Sequence, residues 1–318
     1  MSGNLQKALY PVRDRGNAGR TGGRMSRLEE VAGARMRKFT TIGIGGAADR
    51  LVFPRSVREV RDVLASERAA NREVKALGAG SNLLVSDDGV RGTVVCLRKN
   101  MGNVLFAPGG AVVADAGVMV PRFAVLCALS ALSGVEELAG IPATIGGVLT
   151  MNAGSYGRSI GEIVDWVEIV DAEGRLHRVG ASEVRYSYRT AEYPVRGIIV
   201  RAGFLLRPGH SGDVFSRMKE LNERRRAKQP WGERTFGSTF RNPQGEENAA
   251  ALLERAGMKG VREGDAMFSE KHANFMINKG RATSSEVFRL IARGREAVQT
   301  ISAITLSTEV KIWGIAGE

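Results

Sequence analysis

From residue 49 onward, short runs of β-branched residues alternate with stretches whose apolar residues recur at helical spacing. The segment at 49–54 is typical of a strand, and Ser56 is placed to cap a helix on which Val60 and Leu64 share one face. This alternation predicts an α/β or α+β fold and excludes a helical bundle. The same pattern predicts strands at 74–77, 92–97, 111–116, 197–206 and 306–312, a hairpin at 167–180, and helices at 121–133, 213–228, 248–256 and 284–299.

A chain of 318 residues is long enough for two or three domains with sizeable cores. The first 24 residues carry five basic residues against one acid and almost no apolar periodicity, which predicts a disordered tail. The segment 208–213 is rich in turn-forming residues and is the best candidate for a boundary between two domains. The predicted units are a basic tail at 1–24, a first region at 25–210 with subdomains at approximately 25–100 and 101–210, and a smaller α+β unit at 211–318.

Cysteine and histidine usage argues against a metal site. Cys96 and Cys127 both lie in apolar runs, which favours buried thiols over a disulfide or a metal ligand. The three histidines are scattered, so we expect no zinc or calcium site built by the protein. The longest clean apolar run, 123–133, is too short to span a bilayer, and the N-terminus lacks the apolar core of a secretory signal. We therefore expect a cytoplasmic protein without a membrane span.

The net charge of +12 raises the question of nucleic-acid binding. A dense basic cluster, Arg224–Lys228, ends a predicted helix. It is either a solvated face with charges that suit a helix C-terminus, or a cradle for an acidic ligand. No aromatic residues interleave with these charges and no nucleic-acid-binding motif is recognisable, so a small anionic substrate is favoured over nucleic acid.

Two glycine-rich segments indicate a phosphate site. Small residues let backbone N–H groups approach a phosphate closely, and nearby hydroxyl and amide groups add hydrogen bonds. The first is not a Rossmann fingerprint, because Leu83 stands where its third glycine belongs, and the GIGG at 43–46 fails similarly. We expect the two segments to cradle a pyrophosphate together; a tight turn is the alternative for each. They comprise Gly78, Ala79, Gly80, Ser81 and Asn82, and then Thr144, Ile145, Gly146, Gly147, Asn152, Ala153 and Gly154.

Candidate reactive groups lie in the C-terminal third of the chain. Ser238 follows Gly237 in a strand-like run, and Glu309 is the single acid of the strand-like run at 306–312. The segment 269–278 gathers serine, glutamate, lysine, histidine and two asparagines around an apolar run. Taken alone, each is typical of an ordinary strand or surface position.

Seven blocks of this sequence occur together in one known family. In chain order they are TIGIGGAADRLVFP, GAGSNLLV, AGIPATIGGVLTMNAGSYG, YSYR, GSTFRNP, SEKHANFMIN and EVKIWG. Across roughly residues 38 to 314 the chain closely resembles the UDP-N-acetylenolpyruvoylglucosamine reductase (MurB) family. The resemblance implies an α+β architecture, in which a vanillyl-alcohol-oxidase or PCMH-type FAD-binding fold is followed by a smaller α+β substrate-binding domain.

The resemblance also implies the chemistry. NADPH reduces a non-covalently bound FAD, and reduced FAD passes hydride to the enolpyruvyl ether of UDP-N-acetylglucosamine, which gives UDP-N-acetylmuramate for peptidoglycan. Negative charge then spreads into the substrate carboxylate, so the site needs a cation, a proton donor and an acid. The expected partner is a small nucleotide sugar, with no nucleic acid and no obligate protein partner.

Motif matching assigns roles to single residues. Arg189 is expected to hold the carboxylate side of the enolpyruvyl group, Ser238 to donate the proton, and Glu309 to orient or polarise the same group from the opposite side. The FAD pyrophosphate would lie against the two glycine-rich segments. The residues expected to meet the substrate diphosphate are Arg224, Lys228, Asn242, Lys259 and His272.

The chain resembles the family form that lacks an extra tyrosine-bearing loop, because few residues separate Arg189 from the next strand. Tyr156 and Tyr193 are then the candidates for covering the nucleotide.

Three alternative functions are another flavoenzyme of this fold, a basic nucleic-acid-binding protein and a flavin-free scaffold. Another flavoenzyme of this fold would not need GSTFRNP, SEKHANFMIN and EVKIWG together. A nucleic-acid-binding protein would leave the glycine-rich segments unexplained. A flavin-free scaffold would not retain Arg189, Ser238 and Glu309.

Overall fold

The structure is a computed structural model that describes residues 28–245 and 247–315. The predicted basic tail at 1–24 lies outside the described residues. The α-helices of the described ranges are α1 Val57–Ala69, α2 Val120–Leu129, α3 Ile145–Thr150, α4 Ser211–Lys228, α5 Ala249–Arg255 and α6 Ser284–Ser302. The strands are β1 Glu29–Arg35, β2 Ala47–Phe53, β3 Val74–Leu77, β4 Leu83–Val85, β5 Val90–Cys96, β6 Val104–Phe106, β7 Ala111–Asp115, β8 Leu132–Ser133, β9 Gly154–Ser155, β10 Arg158–Ser159, β11 Val164–Val170, β12 Leu176–Gly180, β13 Arg185–Ser187, β14 Thr190–Glu192, β15 Ile198–Leu205, β16 Arg207–Pro208, β17 Thr235–Ser238, β18 Arg262–Glu263, β19 Ala266–Phe268, β20 Phe275–Asn278 and β21 Lys311–Trp313.

The first sheet has the strand order β1, β2, β5, β3. β1 is antiparallel to β2, whereas β2, β5 and β3 run parallel and α1 provides the crossover from β2 to β3. Ser56 caps α1 as predicted, because its hydroxyl accepts a hydrogen bond from the Glu59 N–H at 3.2 Å. Side chains alternate along β2, so that Leu51 and Val52 pack into different cores. Both faces of the central strands are therefore buried.

The second sheet is antiparallel throughout, in the order β12, β11, β15, β7, β6. The predicted hairpin at 167–180 is confirmed as β11 and β12, with Gly174 at a φ of 76° in the turn. The Phe123 ring of α2 lies 4.9 Å from the Phe204 ring of β15. This sheet, α1, α2 and α3 share one large apolar core.

The third sheet has the order β17, β20, β19, β18 and packs against α5 and α6. α6 approaches closely because a Cβ added to Gly294 would lie only 3.0 Å from the Phe268 ring. Ile42 and Ile44, which precede β2, belong to the same core. In addition β21 pairs in parallel with β4, so the end of the described chain is joined to its first third.

The structure corrects three predictions of local structure. The helix predicted at 121–133 ends at Leu129, and Ala131 has a positive φ of 52°, which a continuing helix cannot contain. The final strand predicted at 306–312 covers only Lys311–Trp313, because the residues before it bond to the segment after β17. The second glycine-rich segment contains a short helix, α3, rather than loop alone.

The predicted boundary places α4 in the C-terminal unit. Its buried Val214 and Met218, however, belong to the core of the second sheet. α4 therefore packs on the first region although it follows the turn at 208–210. The residue bounds of the three units stay a prediction.

Candidate functional site

The loop after β3 presents a row of open backbone N–H groups. The five N–H groups of Gly78–Asn82 hydrogen-bond to no other group in the described part of the chain. Gly80 has a φ of 66°, and a Cβ added there would lie 2.1 Å from the Phe39 carbonyl oxygen, so only glycine fits. Ala79 is a buried residue, and backbone N–H groups in buried segments usually have a hydrogen-bond partner. The loop is thus suited to an anion such as a pyrophosphate.

The two glycine-rich segments are in contact. A Cβ added to Gly78 would lie 2.4 Å from the Thr144 hydroxyl oxygen, so a larger residue would force the segments apart. A cavity of about 300 Å³ opens at this contact, and Gly146 and Gly147 contribute to its wall. The absence of side chains at these positions leaves the cavity open.

The second segment offers fewer free donors than the sequence suggests. The Ile145 N–H donates to the Val118 carbonyl oxygen and the Gly146 N–H to that of Ala116, each at 2.8 Å. Thr144 caps α3, since its hydroxyl accepts from the Gly147 N–H at 3.3 Å. These N–H groups are already used in the fold, so the structure offers the cofactor fewer backbone donors here. The contact of this segment with a pyrophosphate stays a prediction.

Asn152 is likewise occupied by the protein. Its side-chain oxygen accepts from the Gly161 N–H at 3.1 Å, and its side-chain nitrogen donates to the Ser187 carbonyl oxygen at 2.9 Å. The Ala153 N–H donates to the Val148 carbonyl oxygen at 2.8 Å. Gly154 begins β9, which pairs with β10. Asn152 therefore supports the hairpin of β13 and β14, and its contact with the cofactor stays a prediction.

That hairpin carries Arg189 at its turn. Arg189 has a φ of 55°, a left-handed conformation that is uncommon for a residue with a side chain and is often found at functional sites. Its Nε donates to Glu309 Oε1 at 2.9 Å, and the two side chains are 23% and 11% exposed. The sequence predicts that the pair flanks one substrate group from opposite sides, whereas in this structure they form an ion pair.

Burial governs the electrostatics of this ion pair. Burial raises the pKa of Glu309 above its ordinary value, and the charges of Arg189 and Arg241 oppose that rise. The protonation of Glu309 therefore depends on how close Arg189 stays. A bound carboxylate that draws Arg189 away raises the Glu309 pKa further and favours the protonated acid.

Ser238 lies on the strand next to Glu309. The Glu309 N–H donates to the Thr239 carbonyl oxygen at 2.8 Å, so the two segments run side by side. The Asn82 side-chain amide donates to the Glu309 carbonyl oxygen at 3.2 Å, which uses the amide that was predicted to bind cofactor. A Cβ added to Gly237 would lie 3.6 Å from the Ser81 carbonyl oxygen. The first glycine-rich loop, Ser238 and the Arg189–Glu309 pair thus converge on one place.

Comparison with known proteins identifies the family. A FAD binding domain model matches residues 48–180, and a model of the UDP-N-acetylenolpyruvoylglucosamine reductase C-terminal domain matches residues 229–313. A UDP-N-acetylenolpyruvoylglucosamine reductase from Clostridium tetani is 37% identical over 280 residues, which covers 88% of this chain and 90% of the relative. Another from Moorella thermoacetica is 38% identical over 288 residues, covering 91% and 94%. The chain belongs to the UDP-N-acetylenolpyruvoylglucosamine reductase family.

A solved member of the reductase family has the same fold. The crystal structure of UDP-N-acetylenolpyruvylglucosamine reductase (MurB) from Thermus caldophilus matches with a TM-score of 0.77 at 33% identity, covering 91% of this chain and 99% of that one. The fold class is therefore confirmed as α+β with a PCMH-type FAD-binding domain. The protein is a flavin-dependent oxidoreductase with FAD as its cofactor.

The basic residues predicted to bind the substrate of this reductase are mostly engaged elsewhere. Arg224 pairs with Glu220 at 2.5 Å and its side chain is 59% exposed, as the solvated-face alternative predicts. Lys259 pairs with Glu254 at 2.5 Å. Lys228 is exposed at the end of α4. Their contacts with substrate stay a prediction, and surface pairs of this kind contribute little by themselves.

The two remaining predicted substrate residues lie in the C-terminal unit. Asn242 accepts a hydrogen bond from the Ala249 N–H at 3.1 Å and so supports the start of α5. The buried Nδ1 of His272 has no hydrogen-bond partner among the described residues. Burial lowers the pKa of His272 and so disfavours its charged form. The contact of His272 with the substrate diphosphate stays a prediction. No cluster of three or more His, Cys, Asp or Glu residues suited to a metal ion occurs in the described ranges.

Arg225 belongs to the basic cluster but was not singled out by the sequence, and its surroundings differ from those of Arg224. Its Nη2 donates to the Ser155 hydroxyl at 2.6 Å and its guanidinium lies 6.0 Å from the Tyr156 ring centre. No carboxylate pairs with it in the described part of the chain. Burial lowers the pKa of Arg225, and the positive charge of Arg189 acts in the same direction. The helical spacing already places Arg225 one turn after the buried Leu221, which indicates the packed side of α4.

The two tyrosines considered as covers behave differently. The Tyr193 hydroxyl donates to the Leu149 carbonyl oxygen at 2.9 Å and so points toward α3. Tyr156 is 44% exposed and its hydroxyl donates to the Leu221 carbonyl oxygen at 2.9 Å. Tyr156 is thus the one of the two that lies beside Arg225.

Proposed function

We propose that this enzyme reduces UDP-N-acetylglucosamine enolpyruvate to UDP-N-acetylmuramate, with NADPH as the reductant. The observation that carries the proposal is the convergence of Ser238, the Arg189–Glu309 pair and the open N–H groups of Gly78–Asn82. Family membership supports the reaction class. The proposal requires one site that holds a pyrophosphate and a carboxylate together.

The residues present fit FAD. The unpaired N–H groups of Gly78–Asn82 would hold its pyrophosphate, and the cavity beside Gly146 and Gly147 would take an adjoining part of the cofactor. Bound FAD would supply the redox chemistry that links NADPH to the substrate. The protein's own groups bind, orient and protonate.

Side chains of this protein stabilise and protonate the substrate as negative charge develops on it. Once the methylene carbon has gained hydride, the double-bond electrons move into the carboxylate, and the cations of Arg189 and Arg225 stabilise that charge. Ser238 then gives its hydroxyl proton to the neighbouring carbon, which completes the saturated lactyl ether. Glu309 holds Arg189 in place before substrate binds and, in its protonated form, donates a hydrogen bond to the carboxylate.

The cytoplasm is our proposed location, and the two free cysteines support it. Cys96 and Cys127 are buried, and burial raises the pKa of Cys127 to about 12, so its thiol is unreactive. Among the described helices none has both the length and the apolar character needed to cross a membrane.

Product analysis tests the reaction directly. Purified enzyme, NADPH and UDP-N-acetylglucosamine enolpyruvate should give a product heavier than the substrate by two hydrogen atoms, with the saturated lactyl group of UDP-N-acetylmuramate. Oxidation of NADPH without that product would show a different acceptor and would overturn the proposal.

Acid precipitation of the purified enzyme is expected to release all of its flavin into the supernatant. Covalent flavins are usually attached through His or Cys, but the cysteines here are buried. The three described histidines have neighbours of their own. His177 bonds to Asp171 at 2.7 Å, His272 packs against the Phe275 ring, and His210 lies 3.8 Å from Asp213. Absorbance of pellet and supernatant gives the answer, and flavin retained in the pellet would contradict non-covalent binding.

Replacing Arg225 by alanine is expected to raise the KM for the nucleotide-sugar substrate by roughly tenfold to a hundredfold, since a hydrogen bond to a charged group contributes about 1.5 to 3 kcal/mol. Arg224→Ala is the matched control, because that neighbouring side chain is paired with Glu220 on the exposed face. Steady-state kinetics at varied substrate concentration measures the KM of both variants. An equal effect of the two changes would mean that only general basic charge matters.

A further inference from the structure

A second concave site is lined by the segment that joins β1 and β2. We call it the basic hollow; its volume is about 1240 Å³. Its wall is built from the stretch 35–47, the turn 232–234 and the turn 278–283, together with Asp87. None of these residues belongs to the site described above.

The basic hollow carries an excess of positive charge. The cations that line it are Arg35, Arg37, Lys38, Arg234, Lys279 and Arg281, and the acids are Asp87 and Glu233. Glu233 pairs with Lys279 at 3.4 Å, and Asp87 accepts hydrogen bonds from the Ser284 N–H and hydroxyl at 2.8 Å. Both acids are therefore already engaged by neighbouring groups.

Four of these cations have no carboxylate partner within the described ranges: Arg35, Arg37, Lys38 and Arg281. By contrast, Arg58 and Arg91 lie outside the hollow and pair with Asp62 and Asp49. Unpaired like charges that converge on one concavity repel each other, and an anion bound among them relieves that repulsion.

The chemistry of the wall selects the kind of anion. No large exposed apolar side chain lines the described wall, so the wall lacks the apolar surface that binding to a lipid membrane requires. It also has no aromatic side chain on which bases of a single-stranded nucleic acid would stack. The concave shape and a volume above the usual range of about 300 to 1,000 Å³ suit a sizeable small molecule.

We propose that the basic hollow is a second anion site that binds a soluble, multiply phosphorylated small molecule. Arg37 and Lys38 approach the phosphates from the β1 side, and Arg281 approaches them from the turn before α6. Guanidinium groups favour this role because they donate paired hydrogen bonds to phosphate oxygens.

Calorimetric titration of the FAD-loaded enzyme with inorganic tripolyphosphate tests the site. UDP-N-acetylmuramate is present at saturation, so that the active site does not compete for the probe. We expect one equivalent to bind and the double variant Arg37→Glu, Arg281→Glu to weaken binding by roughly tenfold or more. Lys38→Glu alone should weaken it less.

The matched control is Arg58→Glu, Arg91→Glu, which changes the net charge equally at side chains that are 74% and 90% exposed and lie outside the hollow. It should leave the affinity unchanged, and the flavin spectrum verifies that each variant is folded. Equal weakening in the control, no binding by the wild type, or binding only to phosphatidylglycerol vesicles or to oligo-uridylate would overturn the proposal.

Discussion

Replacing Ser238 by alanine is expected to slow reduction of the enolpyruvyl substrate by roughly two to four powers of ten, a barrier increase of about 3 to 5 kcal/mol. The reason is that negative charge must then build on the substrate with no positioned proton donor. The backbone of β17 keeps its pairing with β20, so flavin binding and flavin reduction by NADPH should stay at wild-type rates. Anaerobic stopped-flow absorbance measures the two half-reactions separately.

Thr239→Val is the matched control for that experiment. Thr239 is the next residue, it is completely buried, and its hydroxyl has no hydrogen-bond partner among the described residues. Removing this hydroxyl removes no interaction, so both half-reactions should be unchanged. If Ser238→Ala slows both half-reactions equally, or neither, Ser238 is a structural strand serine and does not deliver the proton.

Replacing Arg189 by alanine is expected to slow the same substrate half-reaction by roughly a hundredfold to a thousandfold, the range found when one charge-stabilising donor is lost. It should also change the pH dependence. Burial raises the pKa of Glu309 and Arg189 opposes that rise, so without Arg189 the Glu309 pKa increases further. The part of the pH profile that reports Glu309 ionisation therefore moves to higher pH.

Two further variants separate charge from geometry at this pair. Arg189→Lys keeps the positive charge, so the pH profile should stay closer to wild type although the rate falls. Glu309→Gln removes the ionisable group, and the corresponding limb of the profile should disappear. A limb that is unmoved in Arg189→Ala, or that persists in Glu309→Gln, would assign the titration to another residue.

Local signals predicted the local elements. The Ser56 cap, the α1 stripe and the hairpin of β11 and β12 all depend on residues within a few positions of each other, and all three are confirmed. The pairing of β21 with β4 joins residues more than two hundred positions apart, and no short-range pattern encodes it. The early end of the last predicted strand has the same cause, since its first residues bond to the chain after β17.

The candidate site was predictable in its composition and less so in its contacts. Glycine at 78, 80 and 146 indicated a close approach to a ligand, but the sequence could not show that the Gly146 N–H is already bonded to the Ala116 carbonyl oxygen. Helical phase explains why two neighbouring arginines of the basic cluster have different surroundings. A rotation of about 100° between them leaves Arg224 paired with Glu220 on the exposed face and brings Arg225 to the Ser155 hydroxyl.

The central claim is that one bound flavin links NADPH to the enolpyruvyl substrate in this site. The visible spectrum of the purified protein through one cycle without oxygen tests it most directly. We predict a yellow protein whose flavin absorbance is bleached by NADPH and restored by one equivalent of UDP-N-acetylglucosamine enolpyruvate. A colourless protein that takes up no FAD, or a bleached flavin that the substrate does not restore, would contradict the account.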